Sequence, residues 1–224
     1  MPLQHLPRWI QLSAFMLAIN AGMINALGLI TTLHQTISHM TGNASLLARA
    51  IVSQQFDMAM FLVLVILSFV AGSSYSGYIL GSSHFELGRR YGIPLSLVTL
   101  FVLLCWVFIP YYPHYALLWA SAAMGVQNAM VSHYKGAIIR TTHISGVLTD
   151  LGLALGYFVK GLAVEKRRVF LHLLILFGFI LGGILATLCY PYLQLNTFLI
   201  PTALSLILCV VYWWVYFKNS FAQK

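Results

Sequence analysis

The pentapeptide His39-Met40-Thr41-Gly42-Asn43 returns later in the chain as His143-Ile144-Ser145-Gly146-Val147. Each copy follows a stretch patterned Gly-x-x-Asn-Ala: Gly22, Asn25 and Ala26 in the first half, Gly125, Asn128 and Ala129 in the second. The offset is 103 residues for the Gly/Asn/Ala set and 104 for the His/Gly set. Further on, Phe69-x-x-Gly72 recurs as Phe179-x-x-Gly182 at an offset of 110. A shared order of features at near-constant spacing marks an internal duplication. The chain therefore has to fold as two like halves, 9–110 and 115–217, within one integral membrane domain.

A membrane is required because charge is scarce. Only 7% of residues are charged and 60% are hydrophobic, at a mean hydropathy of +0.88. A soluble domain carries about 25% charge, so this chain lacks the means to cover a water-facing surface. In a soluble protein the net charge of +8 would point to nucleic acid. Here the basic residues sit between apolar runs, which makes them topology signals and argues for no nucleic-acid partner. Cys105, Cys189 and Cys209 lie inside apolar runs, so they read as small buried hydrophobes with neither disulfide nor metal spacing. Arg8 followed by an apolar run mimics a signal peptide, but no A-x-A site closes it, and it is read as a first transmembrane helix.

Runs of about 20 apolar residues cross a ~30 Å hydrocarbon core. The spans expected are 9–30, 58–80, 93–109, 115–133, 169–190 and 196–217, the last two separated by Pro191. Pro110-Tyr111-Tyr112-Pro113-His114 is the turn between halves. Two further stretches, 42–53 after a polar run and 145–160, are too short for a span: twelve residues rise about 18 Å. They read as broken or re-entrant half-helices, the first with Thr41 as its N-cap. If both dip in and return, six full spans remain. Both termini and the loops 84–92, 134–142 and 160–168 are then cytoplasmic, and of twelve Lys/Arg only Arg49 lies outside. If both cross, Arg89, Arg90, Lys135 and Arg140 move outside, against the positive-inside rule. The fold expected is all-α and polytopic, with six full helices plus two half-helices. Three full spans per half make it a pair of inverted-topology repeats, as in many secondary transporters.

In such a fold the half-helix N-termini carry partial positive charge and free N–H groups near the midplane. His39, Thr41, Gly42, Asn43, His143, Ser145, Gly146 and Thr149 would ring that centre, with Asn25 and Asn128 approaching from the preceding spans. These are the candidate substrate-binding residues, suited to a small polar or anionic solute. Asp150 is the acidic residue inside an apolar segment, and with Arg140 or His143 it is the candidate proton-coupling element. The plainer alternatives stay open: histidines that only bond backbone, and an Asp150–Arg140 pair that only seats the bent segment.

At these residues the chain resembles the YoaK-like family of bacterial inner-membrane proteins, a domain of unknown function. The resemblance rests on residues 21–26 with 39–43, on 125–129, and on 140–152, and it covers essentially the whole chain. The family carries Asp where this chain has Asn25. The resemblance implies a multi-pass bacterial inner-membrane protein and supplies no substrate. The function expected from the site is a small secondary transporter working by alternating access, proton-coupled through Asp150. A channel lined by the two dipping segments is the alternative. An intramembrane enzyme ranks last, because His143 and Ser145 do not share a helical face and neither G-x-S-x-G nor H-E-x-x-H is present. No cofactor or metal is expected. The partners expected are a small-molecule or ion substrate, the lipid bilayer, and in a homo-oligomer a second copy.

Overall fold

The computed structural model describes residues 8–31, 37–81, 89–132 and 141–222, and their regular structure is all helical. In chain order the helices are α1 (Arg8–Ile30), α2 (Met40–Val52), α3 (Phe56–Leu80), α4 (Arg89–Phe108), α5 (Pro113–Ser132), α6 (Ile144–Val159), α7 (Lys166–Leu193) and α8 (Leu199–Ala222), with a 3₁₀ turn at Gln194–Phe198 before α8. Among the described residues, four stretches are long and apolar enough to cross a membrane: Trp9–Ile30, Phe56–Leu80, Tyr91–Phe108 and Lys166–Ser220. The second of these, α3, is strongly apolar yet exposed at Leu64, Leu67, Val70 and Tyr78. In water that surface would aggregate; in lipid it is solvated. The chain is a membrane protein.

Helices α4 and α7 begin at Arg89 and Lys166, inside the expected loops 84–92 and 160–168, and two further boundaries differ from the sequence expectation. Helix α2 begins at Met40, so the residue before it is His39 and Thr41 lies inside the first turn. Pro191 does not separate the last two helices, because α7 continues past it to Leu193. A proline in the last turn forfeits one backbone bond. The helix stops instead at Gln194, whose φ of +52° reverses the chain.

The centre of the bundle is α1 and α5, both rich in Ala and Gly. α1 packs along α7, and α5 along α3 and α4. Lipid tails are as apolar as leucine, so close packing and interhelical hydrogen bonds must hold these helices together. The packing comes from glycine. A Cβ on Gly22 would collide with the Phe179 carbonyl, and one on Gly182 with the Ile19 carbonyl. The α3–α5 crossing repeats this: Gly72 abuts the Ala122 carbonyl and Gly125 the Phe69 carbonyl. The four glycines and four carbonyls are related by the same offsets of 103 and 110 residues as the sequence repeat. Ser73 Oγ donates to the Gly125 carbonyl at 3.1 Å and Ser121 Oγ to the Val65 carbonyl at 2.9 Å, closing the second crossing.

Because the obstructing atoms are backbone, they cannot swing aside. Gly22→Ala, Gly182→Ala, Gly72→Ala and Gly125→Ala should each destabilise the protein by about 1–3 kcal/mol. Gly77→Ala, whose Cβ would meet nothing, should be neutral or stabilise by up to about 1 kcal/mol. Thermal unfolding in detergent checks both, and equal effects at the two classes of site would contradict the packing argument.

Candidate functional site

The repeated histidines occupy matching backbone positions. His39 (φ −97°, ψ 76°) and His143 (φ −93°, ψ 66°) each immediately precede a helix, α2 and α6, without capping it by a side-chain hydrogen bond. The first turn of each helix is closed by a bond to the histidine carbonyl, from Asn43 N at 3.2 Å and from Val147 N at 3.1 Å. The His143 ring lies over Gly146, where a Cβ would stand 2.9 Å from Nδ1, so the glycine admits the imidazole. Asn43 is fully buried, Gly42 and Gly146 are half-buried, and Thr41, Ser145 and Thr149 are exposed. Thr149 Oγ1 returns its proton to the Ser145 carbonyl at 2.9 Å, an i−4 bond within the helix.

Each segment leading into α2 and α6 is tied to the preceding long helix by an asparagine. Asn25 Oδ1 accepts from Ser38 N at 3.2 Å and from Ser38 Oγ at 3.1 Å. Asn128 Nδ2 donates to Thr142 Oγ1. Asn25 and Asn128 are repeat partners, and so are Ser38 and Thr142, at the histidine offset of 104. Between them sits Gln127, wholly buried. Its Nε2 donates to the Leu17 carbonyl at 2.9 Å and to Thr141 Oγ1 at 3.0 Å, and its Oε1 accepts from Asn20 Nδ2 at 3.4 Å. Among the described residues, Asn20 Oδ1 and Asn128 Oδ1 are buried acceptors without a hydrogen-bond partner. Unpartnered amide oxygens are costly in lipid, and each has capacity for a further donor.

Asp150 has described partners on α7. Its Oδ2 lies 3.1 Å from Arg168 Nη2 and 3.5 Å from His172 Nε2. Arg140, the partner expected from sequence, lies outside the described residues. With side-chain exposures of 34% for Asp150 and 51% for Arg168, the ion pair contributes at most about 1 kcal/mol. Its place in the repeat is informative. The residues that correspond to Asp150 and His172 in the first half are Leu46 and Leu62, at offsets 104 and 110. Those leucines join one apolar cluster with Ala50 and Ala59. Both hairpins pack hydrocarbon, and the second adds an ion pair where the first has leucines. Among the described residues no group of three or more His, Cys, Asp or Glu is placed to hold a metal.

A cleft of about 750 Å³ opens between α1 and α8, bordered by the start of α4 and the end of α5. Met16, Leu17, Leu208, Val211 and Tyr212 line it. Leu17 joins it to the polar cluster, since its carbonyl accepts from Gln127. The surfaces that correspond to it in the other half, on α4 and α5, are closed. There Val98, Val102, Cys105, Ala116, Leu117 and Ala120 are buried against one another. Phe101 and Trp119, whose rings stand 5.5 Å apart, occupy the positions that Val211 and Met16 hold in the cleft.

Sequence reasoning had missed Ser38, Thr142, Gln127, Arg168 and His172. The signal for the first two was available, because they repeat at the offset of the histidines beside them. Gln127→Leu should cost about 1–3 kcal/mol by stranding Asn20 and Thr141, read as a fall in Tm. Arg168→Gln should shift Tm little, and the reverse ranking would mean that the ion pair dominates.

Residues 13–211 match the family described as "Protein of unknown function (DUF1275)", and the chain belongs to that family. No curated protein and no solved structure matches it.

Proposed function

We propose that this DUF1275 member is a small secondary transporter that moves a small polar or anionic solute by alternating access, within the YoaK-like group that its motifs resemble. In this reading the two halves are inverted-topology repeats in the bacterial inner membrane. Six helices span, α2 and α6 are half-helices, and both termini are cytoplasmic. Several regularities support the repeat. Helix α6 starts 104 residues after α2, α7 starts 110 after α3, and α8 starts 110 after α4. At thirteen residues, α2 reaches about 20 Å, short of a ~30 Å core.

The observation that carries transport is the unequal packing of corresponding faces. The α4–α5 seam is closed around Phe101 and Trp119, while the α1–α8 seam stands open at Met16 and Val211. Two related halves in unlike packing are what alternating access requires, since exchange of their conformations turns one state into the other. The substrate centre proposed is the cluster of Asn20, Asn25, Gln127 and Asn128, entered past His39, Thr41, Gly42 and Asn43 on one side and His143, Ser145, Gly146 and Thr149 on the other. The orphaned oxygens of Asn20 and Asn128 favour a solute with hydrogen-bond donors as well as an anionic group. Asp150, held by Arg168 and His172, is the proposed coupling residue.

Screening small metabolites and anions for a rise in Tm identifies candidates, because a ligand stabilises by mass action. Uptake of the best one into proteoliposomes should saturate and respond to an imposed proton gradient. Asn20→Ala should abolish its stabilising effect. Asp150→Asn should leave binding and remove the response to the gradient. Uptake that neither saturates nor couples would replace the transporter with a channel. Topology is checked separately: His114→Cys should label from the periplasm and Lys160→Cys should not.

A further inference from the structure

The α1–α8 cleft is the wrong shape and chemistry for a polar solute. Of its lining hydroxyls, which belong to Ser13, Tyr91 and Tyr212, Ser13 Oγ is committed to the Trp9 carbonyl at 2.8 Å and Tyr91 Oη to the Met130 carbonyl at 3.0 Å. What remains along its length is mostly hydrocarbon from α1, α4, α5 and α8. The α8 side runs from Leu204 to Asn219, roughly 22 Å at 1.5 Å per residue. That exceeds one leaflet of a ~30 Å core and suits a single acyl chain. At about 750 Å³ it lies within the usual range of ligand sites.

Its mouth is different. Trp9 and Asn219 stand there, at the start of α1 and the end of α8. The neighbouring sequence positions are basic: Arg8 precedes Trp9, Arg89 and Arg90 precede the lining residue Tyr91, and Lys218 precedes Asn219. Helices α1, α4, α5 and α8, which bound the cleft, contain no acidic residue. Lys218 Nζ itself lies 5.3 Å over the Trp214 ring. An apolar trough whose end residues Trp9, Tyr91 and Asn219 each follow a basic residue in the chain is complementary to an amphipathic anion, because basic residues at a membrane surface each attract anionic lipid.

We propose that the α1–α8 cleft is a binding site for one anionic phospholipid, with an acyl chain between the helices and the headgroup at the Trp9–Asn219 mouth. The site lies in the same α1–α8 seam whose opening supports the transport reading, but its test measures lipid retention and not transport, so either reading can fail without the other. Purified protein is incubated in detergent with equimolar phosphatidylglycerol and phosphatidylcholine of identical chains, and retained lipid is counted by native mass spectrometry. Phosphatidylglycerol should be retained by at least about fivefold, the preference that a single well-placed basic residue supplies. The preference should shrink toward unity at about 1 M salt, where the Debye length falls to about 3 Å, and in the triple variant Arg8→Gln, Arg90→Gln, Lys218→Gln. Leu208→Trp, which fills the trough, should reduce retention of both lipids. Equal retention of the two lipids by the wild type would overturn the proposal. So would phosphatidylglycerol retention undiminished by Leu208→Trp in a folded variant, which would place the lipid elsewhere, or retention of dodecanoate with no phosphatidylglycerol. The wild-type competition and its salt dependence need no variant to fold.

Discussion

Helices in lipid gain little by hiding leucine from a solvent that resembles leucine. What holds this bundle is the approach of backbone to backbone at Gly22, Gly182, Gly72 and Gly125, each lying against a carbonyl of the facing helix. Everything at the centre depends on those two crossings. They fix α1 against α7 and α5 against α3. α1 and α5 are the helices that carry Asn20, Asn25, Gln127 and Asn128. Amides buried at that depth are tolerable only with partners, and the partners come from the neighbouring helix and from the short segments before α2 and α6. Sparse polar groups therefore specify how the apolar helices are arranged, and the glycines bring those groups within reach.

Much of this was legible in the sequence, for a physical reason. A membrane span writes itself as an apolar run of fixed length, so the long helices were expected within a few residues of where they stand. The repeated motifs were legible because Gly, Asn and His are rare enough in such runs for their spacing to stand out. The meaning of one motif was not. Phe69-x-x-Gly72 and Phe179-x-x-Gly182 read as repeated phenylalanines, yet it is their carbonyls that meet the glycines of α5 and α1. Side-chain letters carry no information about which carbonyl a partner helix will approach. Likewise Glu165-Lys166-Arg167-Arg168 read as a charged loop. Helix α7 in fact begins at Lys166, which turns Arg168 and His172 onto the face that meets Asp150. Gln127 was overlooked beside Asn128, because a repeat search rewards matched positions and Gln127 corresponds to an isoleucine, Ile24.

The polar cluster and the cleft divide the interior between two chemistries. Around Gln127 every contact is directional, through amides and hydroxyls whose geometry is fixed to a few tenths of an ångström. Along the cleft the α8 side chains are mostly hydrocarbon, Leu204, Ile207, Leu208, Val211 and Val215, and their contacts are non-directional. Leu17 belongs to both, its side chain lining the cleft and its carbonyl accepting from Gln127. A shift of α1 that closes the cleft must therefore move an acceptor of the polar cluster.

The hairpins of the two halves have also diverged in what they respond to. Leu46 and Leu62 bind α2 to α3 by contact alone, and such a seam is indifferent to dissolved ions. Between α6 and α7, Asp150 and Arg168 add a half-exposed ion pair to the apolar contacts of Val147, Leu171 and Ile175, and mobile counterions reach and weaken that pair. Ionic conditions at the surface therefore reach a polar contact at Asp150 where the matching positions Leu46 and Leu62 offer only hydrocarbon.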